Sequence, residues 1–391
     1  MNSLSRRSRQ LLLLGLALML LGAGLAVRAQ NGHTRRASAV RVSVPAAIAD
    51  RHGLLGLDTA QLRARGFNDA AEVELIETYQ LVADGRLHEA LARSERLASR
   101  YPNFALAQLL RGDLLRAEAG RLRHFADARV PAADTAELDG LVREARARLA
   151  AYADAPGPDQ LPSNFVALGP RVAHAIVVDT GASRLYLFGR DARGQMHLVA
   201  NYYVTQGKLG ADKQRAGDLR TPLGVYFITR AVGQRWLAAV YGAGAMPLNY
   251  PNAWDRLLGR TGGGIWLHGV PSDVYARPPL ASNGCVVLAN TDLLSLMSMV
   301  EPDTTPVVIT AHIDWLSPAQ LAQRRAELRA TLARAAPHAH TPDSTLLYFH
   351  GKHELLVVQY PGQRDDKPIT HRDYWAKENG RWRLFHAGVL S

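Results

Sequence analysis

Two hydrophobic periods follow one another along this chain. From Asp69 to Ala155 the apolar positions recur at helical spacing. Ala71, Leu75, Tyr79 and Val82 fall on one face of a helix that Gly85 stops. Leu87 to Arg100 predicts a second helix, with Leu87, Leu91 and Leu97 inward and Arg93, Glu95 and Arg96 outward. Pro102 separates it from a third over Phe104–Ala119, and Asp134 caps a fourth over Thr135–Tyr152. From Val172 the period shortens. His174–Asp179 and Arg184–Phe188 read as a hairpin across Thr180–Ser183, and His197–Thr205, Gly224–Thr229, Gly264–His268 and Val307–His312 as further strands. No helices alternate with them, which points to a β-rich domain rather than a doubly wound sheet. Pro318–Ala335 then predicts an amphipathic helix. Leu346–Pro361 and Thr370–Val389 predict strands, with a turn at Asn379-Gly380.

The expected organisation is therefore multidomain. It comprises a leader (1–29), a flexible lead-in (30–67), a helical domain (68–155) and a Pro/Gly linker (156–170). A β-rich domain (171–314) and a small α+β tail (315–391) follow. In the leader, Arg6, Arg7 and Arg9 precede the apolar run Leu11–Val27, and Ala29 follows it. This is the pattern of a secretory signal peptide, with an uncleaved inner-membrane anchor as the alternative. The expected location is the periplasm. Loss of Arg6, Arg7, Arg9 and Arg28 takes the formal charge from +11 to +7. A basic exported protein suits an anionic polymer such as cell wall, but no arginine stripe interleaved with aromatics points to nucleic acid. Hydrophobic content of 47% argues against a mostly disordered chain.

A single cysteine among 391 residues forbids an intrachain disulfide and excludes Cys-rich metal sites. In an exported chain such a residue is either buried and inert or a thiol kept for chemistry. Its surroundings are Gly264-Ile-Trp-Leu-His268-Gly269, then a loop, then Ser282-Asn283-Gly284-Cys285. His268 ends an apolar strand, and Cys285 follows a tight turn 17 residues later. An imidazole beside a thiol takes its proton and makes it a nucleophile.

These segments resemble the catalytic motif of YkuD-type L,D-transpeptidases, in which His-Gly is followed some 15–20 residues later by Ser-x-Gly-Cys. Tyr203–Lys208 and Gly217–Tyr226 resemble that family's paired upstream motifs. The resemblance covers about Val172 to His312. It implies Cys285 as nucleophile, His268 as base and the Gly269 carbonyl as the group that orients the imidazole. Asn283, Gly284 and Cys285 would supply oxyanion amides, with no metal or cofactor. The substrate would be the peptidoglycan stem peptide. Where many members carry His and Arg around the cysteine, this chain has Asn283 and Val287. Arg277 is then the candidate carboxylate clamp, with a solvated loop arginine as the alternative. Ser282 and Tyr250 are candidate substrate contacts; Tyr250, Asn252, Trp254 and Arg256 could line the cleft, with aromatic packing as the alternative and as the expected role of Trp254.

Ala90, Pro102 and Gly112 resemble a tetratricopeptide-type hairpin, a plain helical bundle being the alternative. The last strands resemble a nuclear-transport-factor-like cone. Both modules suit docking to a protein or a glycan. The expected function is an L,D-transpeptidase working through a thioester. An L,D-carboxypeptidase using water and a non-catalytic wall-binding adaptor are the alternatives.

Overall fold

The computed structural model describes residues 59–390 apart from 123, 127–130, 132–133 and 333–340. The leader and residues 30–58 of the lead-in lie outside the described residues. No helix among those described is long and apolar enough to cross a membrane. The chain divides into two compact units.

Helix α1 (Thr59–Ala64) opens the described chain and belongs, with residues up to Asp69, to the larger unit. The smaller unit holds α2 (Ala70–Ala83), α3 (Leu87–Arg100), α4 (Ala105–Glu118) and α5 (Thr135–Ala153). Leu75, Tyr79, Leu97, Leu110 and Leu149 are buried in it, following the helical spacing of the sequence. Gly85 ends α2 with φ +75°, a conformation that favours glycine. One arginine is buried among them. Arg148 pairs with Glu72 at 3.0 Å and Glu144 at 2.9 Å, and its guanidinium lies over the Phe104 ring.

The larger unit is layered. Strands β1 (Leu161–Pro162) and β2 (Phe165–Ala167) lead into β3 (His174–Asp179), β4 (Arg184–Arg190), β5 (Met196–Tyr203) and β6 (Gln206–Gly207). Next come β7 (Gly224–Phe227), β8 (Val232–Gly233), β9 (Gly244–Pro247) and helix α6 (Ala253–Leu257). Strands β10 (Trp266–His268), β11 (Leu280–Ser282) and β12 (Val286–Val287), helix α7 (Asn290–Met297) and β13 (Pro306–Thr310) follow. The remainder is β14 (Trp315–Leu316), α8 (Pro318–Leu332), β15 (Thr345–His350), β16 (Glu354–Arg364), β17 (Lys367–Glu378) and β18 (Arg381–Leu390).

A five-stranded sheet, β5-β4-β3-β13-β7, forms the centre. Its strands are apolar at successive positions, because both faces are covered. Ile176 and Val178 point to one side with Leu185, Leu187, Leu267, Val286 and Leu293, so this side packs the small sheet β12-β10-β9-β8 and α7. Ala175 and Val177 point to the other side with Phe188, Phe227, Leu347, Val357 and Tyr374, so this side packs a second five-stranded sheet, β18-β17-β16-β15-β2. The outer face of that sheet carries Leu346, Leu356 and Trp375 against Leu328 and Leu332 of α8. Each buried Val, Leu or Ile contributes about 1.5–3 kcal/mol.

Three expectations change. Residues 59–67 of the lead-in are not free chain, since they form α1 and bury Leu62 and Phe67 completely. The stretch expected as linker contains β1 and β2; β2 pairs with β15, and Phe165 and Val166 are buried. The tail is not a detached element. Its sheet packs on the central sheet, and Arg372 of β17 donates to the Asp303 carbonyl at 3.1 Å and stacks on Phe227. Its β17–β18 turn has Asn379 and Gly380 at φ +49° and +77°, the type I′ pattern expected of Asn-Gly.

Candidate active site

The candidate nucleophile and base stand on two parallel neighbours. Leu267 of β10 pairs with Val286 of β12, and His268 with Val287. Opposite residues in a sheet share a face, and so do residues two apart along a strand. Cys285 stands two residues before Val287. It therefore lies on the face of His268, one diagonal step away, a gap that side chains span. The amide of Leu288 donates to the His268 carbonyl at 2.9 Å and locks this register.

The turn before Cys285 is built from its own side chains. Ser282 Oγ donates to the Cys285 carbonyl at 2.6 Å and accepts from the Gly284 amide at 3.0 Å. Thr221 Oγ1 donates to the Gly284 carbonyl at 3.0 Å and accepts from the Gly207 amide at 2.9 Å, tying both upstream motifs to the turn. Gly284 has φ +126°, and a Cβ there would lie 2.7 Å from the Arg220 carbonyl oxygen. Only glycine fits.

His268 is oriented by the residue that follows it. Its Nδ1 lies 2.7 Å from the Gly269 carbonyl. A carbonyl only accepts, so Nδ1 carries the proton and Nε2 is the free base. Asn290 fixes that carbonyl's segment. Its Oδ1 accepts from the amides of Ala243 and Val270 at 2.9 and 3.2 Å, and its Nδ2 donates to the Val270 carbonyl. A Cβ on Gly269 would meet Asn290 Oδ1 at 2.1 Å, which explains the glycine. Tyr241 packs its ring edge-on to the imidazole at 5.0 Å and lies against Trp266 at 4.7 Å.

Burial sets the protonation states. It pushes His268 down to about 4, against a smaller opposing effect of the Gly269 carbonyl; the Arg277 charge lowers it further. It pushes the Cys285 thiol up, while the Trp266 amide and the charges of Arg277 and Lys213 pull it partly back. At neutral pH the pair is thiol and neutral imidazole. The thiol donates to the Gly264 carbonyl at 3.4 Å.

Of the residues expected in the site, His268 is hydrogen-bonded to the Gly269 carbonyl, Cys285 immediately precedes the strand paired with that of His268, and Arg277 acts electrostatically on both side chains. Others have different roles. The Gly284 amide is already engaged by Ser282, so it is not a free oxyanion donor. Ser282 is buried and both its bonds are internal to the turn, so it shapes the turn rather than meeting substrate. Asn283 is exposed at the tip. Tyr250 is a core residue: its ring packs edge-on to Tyr226 at 5.9 Å and its hydroxyl donates to the Thr261 carbonyl. Asn252 caps α6, while Trp254 packs on Phe385, as expected of it.

Sequence reasoning missed Asn290, Thr221 and Lys213. Lys213 is buried and ion-paired to Asp218 at 2.7 Å. It stands in the loop between the two upstream motifs, which is the signal that would have found it. Among the described residues no group of three His, Cys, Asp or Glu side chains is placed to hold a metal ion.

No curated protein matches the chain. Among solved structures it is similar to Bd1075 of Bdellovibrio bacteriovorus, with 22% identity, 59% of this chain and 98% of that one covered, and a TM-score of 0.49. It is also similar to the helical cell shape determining protein Pgp2 of Campylobacter jejuni (17%, 59% and 94%, 0.43) and to an L,D-transpeptidase of Mycobacterium smegmatis (15%, 36% and 59%, 0.24). The YkuD family model, L,D-transpeptidase catalytic domain, matches residues 173–309. The span that carries His268, its orienting carbonyl and Cys285 is thus a YkuD-type L,D-transpeptidase catalytic domain.

Proposed function

We propose that this chain is an exported, periplasmic cysteine L,D-transpeptidase acting on peptidoglycan stem peptides. The carrying observation is the bond from His268 Nδ1 to the Gly269 carbonyl, which leaves Nε2 free on the sheet face of Cys285. Nε2 takes the thiol proton as sulfur attacks the carbonyl carbon of the diamino acid. The C–S bond forms and the carbonyl electrons move to oxygen. The tetrahedral intermediate then expels the D-alanine amine, which receives the proton from the imidazolium, and a thioester remains. The amides of Asn283 and Cys285 are the available oxyanion donors of the turn. An amine of a second stem peptide resolves the thioester and returns the thiol.

Water as the acceptor, giving an L,D-carboxypeptidase, is the second reading. It is favoured by the partial solvent exposure of Cys285. A tetratricopeptide-like helical hairpin and a cone-like tail would then serve docking to protein or glycan.

The test is incubation with purified muropeptides followed by mass spectrometry. Cross-linked dimers support transfer to an amine; tetrapeptide-to-tripeptide conversion supports transfer to water. Neither product from the intact chain, or full activity in Cys285→Ala, rejects the catalytic reading in favour of a wall-binding adaptor.

A further inference from the structure

Helix α7 begins with an asparagine that does not serve the helix. Asparagine at a helix start usually turns its side-chain oxygen back onto the first turn as a cap. The N-cap of α7 is Ala289, with no side-chain cap, and the Asn290 side chain reaches two other segments instead. Its Oδ1 accepts from the Ala243 amide, 47 residues away in sequence, and from the Val270 amide, 20 residues away, at 2.9 and 3.2 Å. Its Nδ2 donates to the Val270 carbonyl at 2.8 Å. Both acceptor sites of Oδ1 are thereby used. The side-chain amide has one orientation, because turning it over would set Nδ2 against two N–H donors and Oδ1 against a carbonyl.

The two segments flank His268. Val270 follows Gly269, whose carbonyl holds Nδ1 at 2.7 Å. Ala243 lies two residues past Tyr241, whose ring packs edge-on to the imidazole. The segments are also bonded to each other: the Gly269 amide donates to the Tyr241 carbonyl at 3.0 Å and to the Gly244 carbonyl at 3.3 Å. Their approach leaves no room for a side chain at Gly242. Its φ is +62°, and a Cβ there would overlap Asn290 Oδ1 and the Val270 carbonyl. The helix that carries Asn290 is itself fixed. Leu293 and Leu296 are fully buried in the core, and the Tyr202 hydroxyl of β5 donates to Ser295 Oγ at 3.1 Å. Asn290 therefore refers both segments to the central sheet.

We propose that Asn290 is the positioning residue of His268: it clasps the Gly269 carbonyl at Nδ1 and the Tyr241 segment beside the ring, so that the imidazole keeps one tautomer and one orientation with Nε2 free. The inference rests on the reading of His268 as the base and adds what holds that base in its working state. Without the clasp, the Ala243 and Val270 amides lose their acceptor and the Gly269 carbonyl is free to turn away from Nδ1. Either ring nitrogen can then carry the proton. A base displaced by about 1 Å loses on the order of a hundredfold in rate.

Two measurements on the full chain test this. The first needs no substrate: nitrogen NMR of the histidine-labelled protein at pH 7, with the His268 signals identified as those missing from His268→Gln. The wild type shows a protonated Nδ1 and an unprotonated Nε2. In Asn290→Ala the two shifts move toward each other as the tautomers mix. Asn290→Asp, which keeps an oxygen for both amides, restores the wild-type pattern. The second is turnover of a stem tetrapeptide. Asn290→Ala lowers kcat by on the order of tenfold to a hundredfold with KM little changed, and Asn290→Asp recovers most of the loss. If Asn290→Ala fails to fold, Asn290→Ser replaces it with the same expectation: its hydroxyl suits a helix start but is one bond too short to reach both segments.

A single tautomer in Asn290→Ala, or a mixture already present in the wild type, overturns the proposal. So does an Asn290→Asp variant as impaired as Asn290→Ala, which would make the asparagine a scaffold residue only. If the intact chain turns over no muropeptide while the tautomer still depends on Asn290, the positioning role stands and the stem-peptide reading falls.

Discussion

Burial of His268 makes a prediction that separates two kinds of thiol enzyme. One kind rests as a thiolate–imidazolium pair; the other keeps both groups neutral until substrate arrives. His268 is 4% exposed and its pKa is lowered to about 4. Relative to an ordinary histidine near 6.5, forming the imidazolium in the free enzyme costs about 3 kcal/mol, and about 0.1% of His268 is protonated at pH 7. The thiol is pushed above its ordinary value of 9.0, so at most about 1% is thiolate at pH 7. Two assays read this directly. The acid limb of kcat/KM against pH, measured on a stem tetrapeptide, has its midpoint near 4, and alkylation of Cys285 by iodoacetamide reaches half its maximal rate above pH 9. An acid limb at 6–7 together with alkylation already maximal at pH 6 would show a preformed ion pair, and the desolvation reasoning would be wrong. The same shift appears in stability. Between pH 6.5 and 4 the unfolded chain binds a proton at His268 that the folded chain does not, so stability falls as pH drops through that window and is unaffected above it. His268→Gln flattens this part of the stability–pH curve.

Three further outcomes follow from the packing. Gly284→Ala forces a Cβ to within 2.7 Å of the Arg220 carbonyl at a φ of +126°, costing about 1–3 kcal/mol in urea unfolding and lowering kcat. Arg148→Ala leaves the buried Glu72 and Glu144 carboxylates without their cation and destabilises the helical unit by about 3–5 kcal/mol, read by circular dichroism on heating. Although burial pushes it up, the Asp218 carboxyl is held well below the usual carboxylate range by Lys213 and the amides of Arg215, Gln214 and Arg220. Its stabilising contribution is therefore complete above about pH 4 and lost below it. Asp218→Asn removes that acid-sensitive contribution, leaves Lys213 unpaired near Cys285 and lowers kcat/KM about tenfold.

Local chemistry was readable where a residue's role depends on its neighbours in sequence. The stop at Gly85, the Asn379-Gly380 turn and the strand ending at His268 are of this kind. So is the pairing of a lone thiol with the His-Gly and Ser-Asn-Gly segments, because backbone conformation and the nucleophile turn are set within a few residues. Roles that depend on distant partners were not. Tyr250, three residues past a strand, reads equally as cleft or core, and only its packing on Tyr226 decides for core. Ser282 reads as a substrate contact until its hydroxyl is seen to be satisfied within the turn.

By itself the sequence determined the succession of helical and extended segments and pointed to the candidate nucleophile and base, since periodicity and motif order are properties of the chain alone. Only the tertiary structure decided that residues expected as lead-in and linker are buried, because apolar residues such as Phe67 and Phe165 carry no sign of which sheet will cover them. It also decided the state of the reacting pair. A thiol and an imidazole written 17 residues apart have ordinary acidities, and it is the surrounding layers that exclude the water on which those acidities depend.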